Sequence, residues 1–336
     1  MTVLMETDRL TRHFRSRRIL GGGSVTRAVD GVSLRIAAGE IVAVVGESGS
    51  GKSSLVRCLL GIDQPTGGTI LFDGQPLTSL RGTTAVRGFH RQVQAVFQDP
   101  FSSLDPRWPI GRTVREALDC LDIGSRGDRD RVVLETLREV GLPESMADRR
   151  PALMSGGQHQ RVAIAAALAG RPRLLIADEP VTALDASVQA QILNLLSDLR
   201  QRRDLAILLV SHDLAVVEHV SDRVAVMHRG RVVETGRVED VLGDAKHPYT
   251  RTLVEATRKH RVQSGTVAAP ASGGNAGGCL FADRCPQRME ICDRSRPEPH
   301  VLAPGGPEVA CHLFGDPSSS GTGSREGSAD AALETR

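Results

Sequence analysis

The chain has 336 residues, 40% of them hydrophobic and 24% charged, and its 42 basic and 40 acidic residues leave a formal net charge of +2. This length can form one large domain or two moderate ones, and so small a net charge gives no general reason to expect a nucleic-acid partner. Seven Phe, one Tyr and one Trp are too few for base-stacking platforms, and the longest apolar run, residues 162–169, is too short to cross a bilayer. Since the N-terminus also lacks the regions of a signal peptide, we expect a cytoplasmic protein.

The first elements of the chain are an arginine-rich stretch and a strand. Residues 10–18 carry the arginines and lead into a flexible break at Gly21–Gly23, and residues 29–36 have a strand pattern. Phe14 is the only aromatic residue among the first 70. Its ring could stack on a nucleotide base or pack beneath the first strand, and packing is the more common use of such a ring.

A glycine-rich segment between a strand and a helix predicts a nucleotide-phosphate site. Residues 41–45 are apolar and mostly β-branched, which is typical of a strand inside a parallel sheet, and a helical pattern runs from Ser54 to a stop at Gly61. The residues between fit G-x-x-x-x-G-K-[ST]: loop N–H groups and the helix N-terminus bind phosphate, the lysine reaches the β- and γ-phosphates, and the final hydroxyl can ligate Mg²⁺. They are Gly46, Glu47, Ser48, Gly49, Ser50, Gly51, Lys52 and Ser53, and we expect the next residue, Ser54, to bind the nucleotide with them.

The chance occurrence of such a loop is made improbable by its lysine. Only Lys52, Lys246 and Lys259 are lysines among the 42 basic residues of the chain. A glycine-rich turn that matched by accident would rarely carry one of them at the required place. We therefore interpret the loop as a phosphate site.

The next part of the chain holds two strands followed by a helical insert. Residues 69–72 and 93–97 have strand patterns, and Gln98 stands at the end of the second strand, where a loop contact is the ordinary use of an amide. Helical patterns follow over residues 113–121 and 131–140.

A second helix N-terminus suited to an anion follows the insert. Its residues are small or uncharged and lead directly into a long helix: Ser155, Gly156, Gly157 and Gln158. Two phosphate-type helix ends in one domain suggest that two copies share one nucleotide.

Two further buried strands deliver polar residues to the sheet edge where ligands collect. Residues 174–177 end at Asp178 and Glu179, and residues 205–210 end just before His212. The first acid can hold Mg²⁺ through water and the second can orient an attacking water, although a helix N-terminal charge pair is the alternative. A histidine at the same edge is expected to touch the nucleotide.

Taken in order, these motifs resemble those of the ATP-binding subunits of ABC transporters. The resemblance covers about residues 1–240, and one small departure is Met154, where the family commonly has Leu. The matching parts are a Walker A loop at 46–53, a Gln loop at Gln98, a signature at 155–158, a Walker B Asp178 followed by Glu179, a D-loop at 183–185 that ends with Asp185, and a switch His212. The resemblance implies an α/β fold: a P-loop NTPase of the ABC type with an antiparallel β subdomain and a helical subdomain at about residues 99–160.

The resemblance also implies the residues that act and the partners they serve. ATP with Mg²⁺ would lie in a head-to-tail dimer, between the Walker A loop of one subunit and the signature of the other. Glu179 would act as base or water orienter, Gln98 and His212 would sense the γ-phosphate, and Ser53, Gln98 and Asp178 would serve Mg²⁺. The partners would be two transmembrane permease subunits, a second ATPase subunit (self or paralogue) and an extracytoplasmic solute-binding protein, at the cytoplasmic face of the cell membrane.

A narrower resemblance lies downstream, over residues 241–315. Residues 246–253 and 278–286 look like the C-terminal extension of oligopeptide and dipeptide importer ATPases. Some of these importers serve nickel, opines or other small solutes, so the solute stays open. Residues 264–278 have a linker composition, and we expect residues 316–336 to form a disordered tail.

The cysteines fall into two groups. Cys58 and Cys120 lie in apolar helical patterns and are expected to be buried. Four others are gathered beyond the linker: Cys279, Cys285, Cys292 and Cys311. Three uses stay open for them, namely a [4Fe–4S] cluster, a Zn²⁺ site whose usual spacings are shorter, and plain reduced thiols, whereas the expected compartment disfavours disulfides.

Three classes of function compete at this point. The first is the motor subunit of an importer. The second is an ABC-type ATPase acting on nucleic acid, but those usually carry long coiled-coil insertions or two cassettes in one chain, and this sequence has neither. The third is a nucleotide-dependent regulator that transports nothing.

Overall fold

The structure is a computed structural model that describes residues 2–16, 24–99, 104–182, 184–260 and 277–315. Four predicted features lie wholly or mostly outside the described residues: the break at Gly21–Gly23, residue 183 of the D-loop, the linker at 264–278 and the tail at 316–336.

The strands of the described residues form two sheets. They are β1 (Val3–Ser16), β2 (Ser24–Ala37), β3 (Ile41–Val45), β4 (Gly67–Phe72), β5 (Gln75–Pro76), β6 (Val93–Val96), β7 (Leu174–Asp178), β8 (Ala206–Ser211), β9 (Arg223–His228), β10 (Arg231–Arg237), β11 (His300–Val301) and β12 (Glu308–Val309). The smaller sheet is antiparallel, with strand order β2-β1-β4-β5. The larger sheet has the order β11-β12-β10-β9-β3-β8-β7-β6, and its strands from β9 to β6 run parallel.

The helices cover the faces of the larger sheet. They are α1 (Lys52–Leu59), α2 (Gly82–Gln92), α3 (Ile110–Cys120), α4 (Arg126–Glu139), α5 (Gly156–Leu168), α6 (Ala186–Arg203), α7 (Leu214–Val220), α8 (Val238–Gly243), α9 (Pro248–His260) and α10 (Ile291–Arg294). In the described part of the chain, none of them combines the length and the apolar character needed to span a bilayer.

The parallel strands separate two hydrophobic clusters. Leu175 and Ala177 of β7 face the cluster formed with helices α3 to α6, whereas Leu174 and Ile176 face the cluster formed with the antiparallel sheet and α1. Because both faces of these strands are covered, their sequences are continuous apolar runs, which is what the strand predictions relied on. The α/β fold with an antiparallel β part and a helical part is confirmed.

The N-terminal strand differs from expectation. Residues 3–16, which include most of the arginine-rich stretch, form the long strand β1, and several register shifts interrupt its pairing with β2. Phe14 is 39% exposed, and the Arg12 guanidinium lies 4.5 Å from the centroid of its ring. The interpretation that Phe14 packs beneath a strand is therefore wrong, because its ring lies on the surface of β1.

The C-terminal extension is joined to the larger sheet. Strands β9 and β10 form a hairpin with its turn at Arg229-Gly230. Strand β12 of the extension then pairs with β10, placing Val309 opposite Glu234. Buried Tyr249 and Phe281 belong to the hydrophobic cluster on that side of the sheet.

Candidate functional site

The loop at residues 46–53, hereafter the phosphate loop, follows β3 and ends in α1. Gly46 and Gly51 have φ values of 151° and 107°, which side chains rarely allow. A Cβ atom on Gly46 would clash with the carbonyl oxygen of Met227, and one on Gly51 with that of Ala28. The loop can therefore close against its neighbours only with glycine at both positions.

The other predicted loop residues differ in exposure. Ser48 and Gly49 are exposed, as is Ser53 in the first turn of α1, whereas Ser54 is half-buried. Ser50 is buried, and its Oγ has no hydrogen-bond partner among the described residues.

Lys52 is the buried cation of the site. Its side chain is almost enclosed, and Nζ donates to the carbonyl oxygens of Gly46 at 2.7 Å and Glu47 at 3.1 Å. Burial lowers the pKa of Lys52, while the nearby carboxylates of Glu179 and Asp178 raise it. A desolvated ammonium facing two acids can offer strong charge-assisted hydrogen bonds to an anion.

Glu179 contacts residues at the ends of the neighbouring parallel strands. Its backbone has a φ of +50°, and its N–H donates a hydrogen bond to the Val210 carbonyl oxygen at 2.9 Å. One carboxylate oxygen accepts from Gln98 Nε2 at 3.0 Å and from Thr182 Oγ1 at 3.1 Å, and the other lies 3.2 Å from His212 Nδ1. The structure thus brings Gln98, Glu179 and His212 into one contact group.

Asp178 lies beside this group at the end of β7. Burial raises the pKa of its carboxyl, as does the charge of Glu179, and Lys52 opposes the shift. Because the charged form of this carboxyl is disfavoured, a cation bound next to it would stabilise the carboxylate. The Asp178 carboxylate, the Ser53 hydroxyl and the Gln98 amide oxygen are oxygen donors, which Mg²⁺ prefers as ligands.

The signature residues form the N-terminus of α5. Ser155 Oγ accepts from the Gln158 N–H at 3.3 Å, and Gln158 Oε1 accepts from the Ser155 N–H at 3.1 Å, which is a capping box. A Cβ atom on Gly157 would clash with the Val188 side chain, while Ser155 itself is exposed. This helix end is rigid and accessible from outside the chain.

Asp185 caps the neighbouring helix α6. Its carboxylate accepts from the N–H groups of Ser187 at 3.1 Å and Val188 at 3.0 Å. These bonds and the Ser187 hydroxyl lower the pKa of Asp185. Through Val188, the cap places α6 against the glycine of the signature.

Two contacts to the phosphate loop lie outside the sequence-based site. The carboxylate of Glu47 pairs with both Nη atoms of Arg284, at 3.0 and 3.1 Å, and the Glu47 N–H donates to Tyr249 Oη at 3.0 Å. The partners are 237 and 202 residues away in sequence. No local pattern marks such a contact, although Tyr249 is the only tyrosine of the chain.

The four cysteines of the extension lie near one another but not in ligating geometry. Burial raises the pKa of the Cys311 thiol to about 11, and the other three cysteines add to the shift. The Cys279 N–H also donates to the Cys292 carbonyl oxygen at 2.7 Å. Within the part of the chain that the structure describes, no three His, Cys, Asp or Glu side chains are arranged to hold a metal ion.

The two other cysteines have different environments. Cys58 is buried in α1, as predicted, and burial raises its pKa to about 11. Cys120 is exposed, so the prediction that it is buried is wrong. It is the last residue of α3, whose buried residues are Ile110, Thr113, Val114 and Leu118.

Comparison with known families identifies two parts of the chain. Residues 29–182 match the family model described as ABC transporter. Residues 233–292 match the family model described as oligopeptide/dipeptide transporter, C-terminal region.

The sequence similarity to other proteins extends over almost the whole chain. A probable peptide ABC transporter ATP-binding protein of Sinorhizobium fredii is 43% identical over 320 residues, covering 92% of this chain and 90% of its own length. A Brucella abortus protein, named as a candidate peptide import ATP-binding protein, is 44% identical over 318 residues and covers 93% and 94%.

Solved structures share the fold. The ATP-binding cassette MJ0796, in a dimeric post-hydrolysis state bound to ADP and Pi, has a TM-score of 0.62 at 29% identity, covering 70% of this chain and 99% of that one. CbiO1 from Clostridium perfringens, part of the transporter complex CbiONQ, has a TM-score of 0.63 at 28% identity, with coverage of 78% and 99%.

Proposed function

Because the chain belongs to the family of peptide ABC transporter ATP-binding proteins, we propose that it is the ATP-hydrolysing motor subunit of a membrane importer for di- and oligopeptides. The observation that carries the proposal is the contact group of Gln98, Glu179 and His212 beside buried Lys52 and half-buried Asp178. Peptides are the solutes in the names of the similar proteins, and nickel, opines or another small solute are the alternative.

The residues of the contact group have distinct proposed roles. The phosphate loop and Lys52 bind the triphosphate, and Ser53, Gln98 and Asp178 hold Mg²⁺, which neutralises phosphate charge when bound. Glu179 orients and deprotonates the attacking water, with its carboxylate fixed by Gln98 and Thr182. His212 and Gln98 sense whether the γ-phosphate is present, and each of them contacts the Glu179 carboxylate.

The accessible end of α5 supports a nucleotide shared between two subunits. Ser155 and its glycines lie at a rigid, exposed helix N-terminus, which favours a phosphate brought by another subunit. We place Asp185 at the same subunit contact because it caps the helix that packs on Gly157. Phe14 is exposed on β1 and offers its ring to the adenine.

Ser155→Ala is expected to impair the nucleotide site of the partner subunit rather than the site of its own subunit. In a dimer with Lys52→Ala in one subunit and Ser155→Ala in the other, both lesions fall on one site and the second site stays intact. The measurement is single-turnover ATP hydrolysis by purified mixed dimers, compared with dimers that carry both changes in one subunit. Loss of both sites in the first arrangement, with one site kept in the second, would contradict sharing between subunits.

The proposed partners are two permease subunits, a second ATPase subunit and an extracytoplasmic solute-binding protein, with this chain bound at the cytoplasmic face of the membrane. The test is purification of the tagged full chain from membranes of its own organism. Permeases with ATPase activity in the eluate would support the importer. Recovery with nucleic acid, or as a chain that binds no membrane protein, would support a competing class of function.

We propose that Cys279, Cys285, Cys292 and Cys311 bind a [4Fe–4S] cluster that orders the extension without entering ATP chemistry. Support comes from the position of the four thiols in a segment with little core of its own and from their closeness, since the other three raise the pKa of Cys311. Because the structure does not arrange them to ligate a metal ion, binding of a cluster would require them to move closer together. Anaerobically purified protein is then expected to be brown, with iron and sulfide in equal amounts. Colourless protein with stoichiometric zinc would identify a zinc site instead, and protein without metal would leave reduced thiols.

A further inference from the structure

We propose that the C-terminal extension positions the phosphate loop for ATP, with Tyr249 and Arg284 as the positioning residues. The proposal rests on the proposed function for the identity of the nucleotide. It goes further in assigning the extension a direct effect on nucleotide affinity.

Both contacts converge on one residue of the loop. Arg284 binds the Glu47 carboxylate with two nitrogens, and Tyr249 Oη accepts the Glu47 N–H. Side chain and backbone of the same residue are thus fixed from outside the nucleotide-binding fold. A bidentate pair defines orientation as well as distance, so the contact can fix the conformation of the loop.

The two positioning residues have a rigid support. The Tyr249 ring is fully buried, with its centroid 4.2 Å from that of His228 and 5.5 Å from that of Phe281. The Arg284 guanidinium lies 5.6 Å from the centroid of the Phe281 ring. Arg229, in the β9–β10 turn, donates to the Leu280 carbonyl oxygen at 3.2 Å and ties the same segment to the larger sheet.

The loop needs this support when it binds phosphate. Lys52 Nζ donates to the carbonyl oxygens of Gly46 and Glu47, and these bonds hold the start of the loop. To reach a phosphate oxygen, the ammonium must share or give up those bonds. The contacts from Tyr249 and Arg284 do not involve Lys52, so they can keep Glu47 in place while the lysine changes partner.

The ion pair also removes a charge that would oppose ATP. Glu47 is part of the loop that binds the triphosphate, so its carboxylate would repel the negatively charged phosphates. Its pairing with Arg284 raises the pKa of the guanidinium, as expected for a cation stabilised by an adjacent anion. The extension therefore acts on the loop through both geometry and charge.

Tyr249→Phe tests the geometric part without changing charge or ring packing. We expect it to raise the dissociation constant of the full chain for a fluorescent ATP analogue by about two- to tenfold, the range for one lost hydrogen bond. Turnover at saturating ATP should stay near the wild-type value, since the contact group at Glu179 is untouched. The matched control is Arg288→Gln, which breaks an ion pair with Asp293 in the same extension, away from the loop.

Arg284→Gln and the double variant Glu47→Gln/Arg284→Gln separate geometry from charge. The single variant leaves an unpaired carboxylate and is expected to weaken ATP binding by about tenfold, whereas the double variant should recover only part of that loss. Arg284→Lys should also recover part of it. The thermal unfolding temperature of each variant shows whether the substitution affects only nucleotide binding or also the stability of the fold.

Wild-type ATP affinity in both Tyr249→Phe and the double variant would overturn the proposal. An equal loss of affinity in Arg288→Gln would also overturn it, because the effect would then be a general loosening of the extension. Failure of the nucleotide-binding part of the proposed function is distinguishable, since in that case the wild-type chain itself would bind no ATP analogue. A wild-type chain that binds the analogue but imports no peptide would leave the comparison of these affinities valid.

Discussion

Glu179→Gln is expected to lower ATP turnover by about 10²–10⁴-fold while leaving ATP binding intact, because a positioned general base commonly contributes this much to the rate. The glutamine keeps the size of the side chain and one oxygen that can accept from Gln98 or Thr182. It loses the negative charge that takes the proton from water. Hydrolysis should therefore stop with ATP still bound, which traps the closed dimer.

The measurement is steady-state ATP hydrolysis by the assembled transporter, together with size-exclusion chromatography of the ATPase subunits in ATP. Glu218→Gln is the matched control, since Glu218 is an exposed carboxylate on α7. Near-normal hydrolysis by Glu179→Gln would show that another group activates the water.

Lys52→Ala is expected to weaken ATP binding by at least about 10- to 100-fold, the range for hydrogen bonds to a charged group. Its ammonium is desolvated and lies near Asp178 and Glu179. Removing it takes away the cation that meets the phosphates and leaves two carboxylates uncompensated beside them. Both consequences act in the same direction, against a triphosphate.

The dissociation constant for ATP, measured by calorimetry on the full chain, tests this expectation. Lys246→Ala is the matched control, because Lys246 pairs with Asp244 in the extension. An unchanged ATP affinity in Lys52→Ala, or an equal loss in Lys246→Ala, would be inconsistent with the role given to Lys52.

Much of the central fold can be predicted because its strands are covered on both faces. β3, β7 and β8 are continuous apolar runs, and their polar residues begin where the strands end. Asp178, Glu179 and His212 therefore had to meet at one edge of the sheet. β1 could not be recognised in the same way, because register shifts break the alternation of its side chains between the two faces.

The connection between the extension and the phosphate loop could not be predicted from local patterns. β12 is two residues long, and its pairing with β10 depends on tertiary packing. The bonds from Tyr249 and Arg284 to Glu47 join positions that are distant in sequence. Periodicity describes neighbours along the chain, so contacts of this kind appear only once the fold is known.

We propose that this chain converts ATP hydrolysis into peptide import. The most direct test is uptake of labelled di- and oligopeptides by proteoliposomes that contain the purified transporter with its solute-binding protein. Uptake is expected to require ATP on the side of this chain and to be abolished by Glu179→Gln. Wild-type transporter that hydrolyses ATP yet accumulates none of these peptides would contradict it.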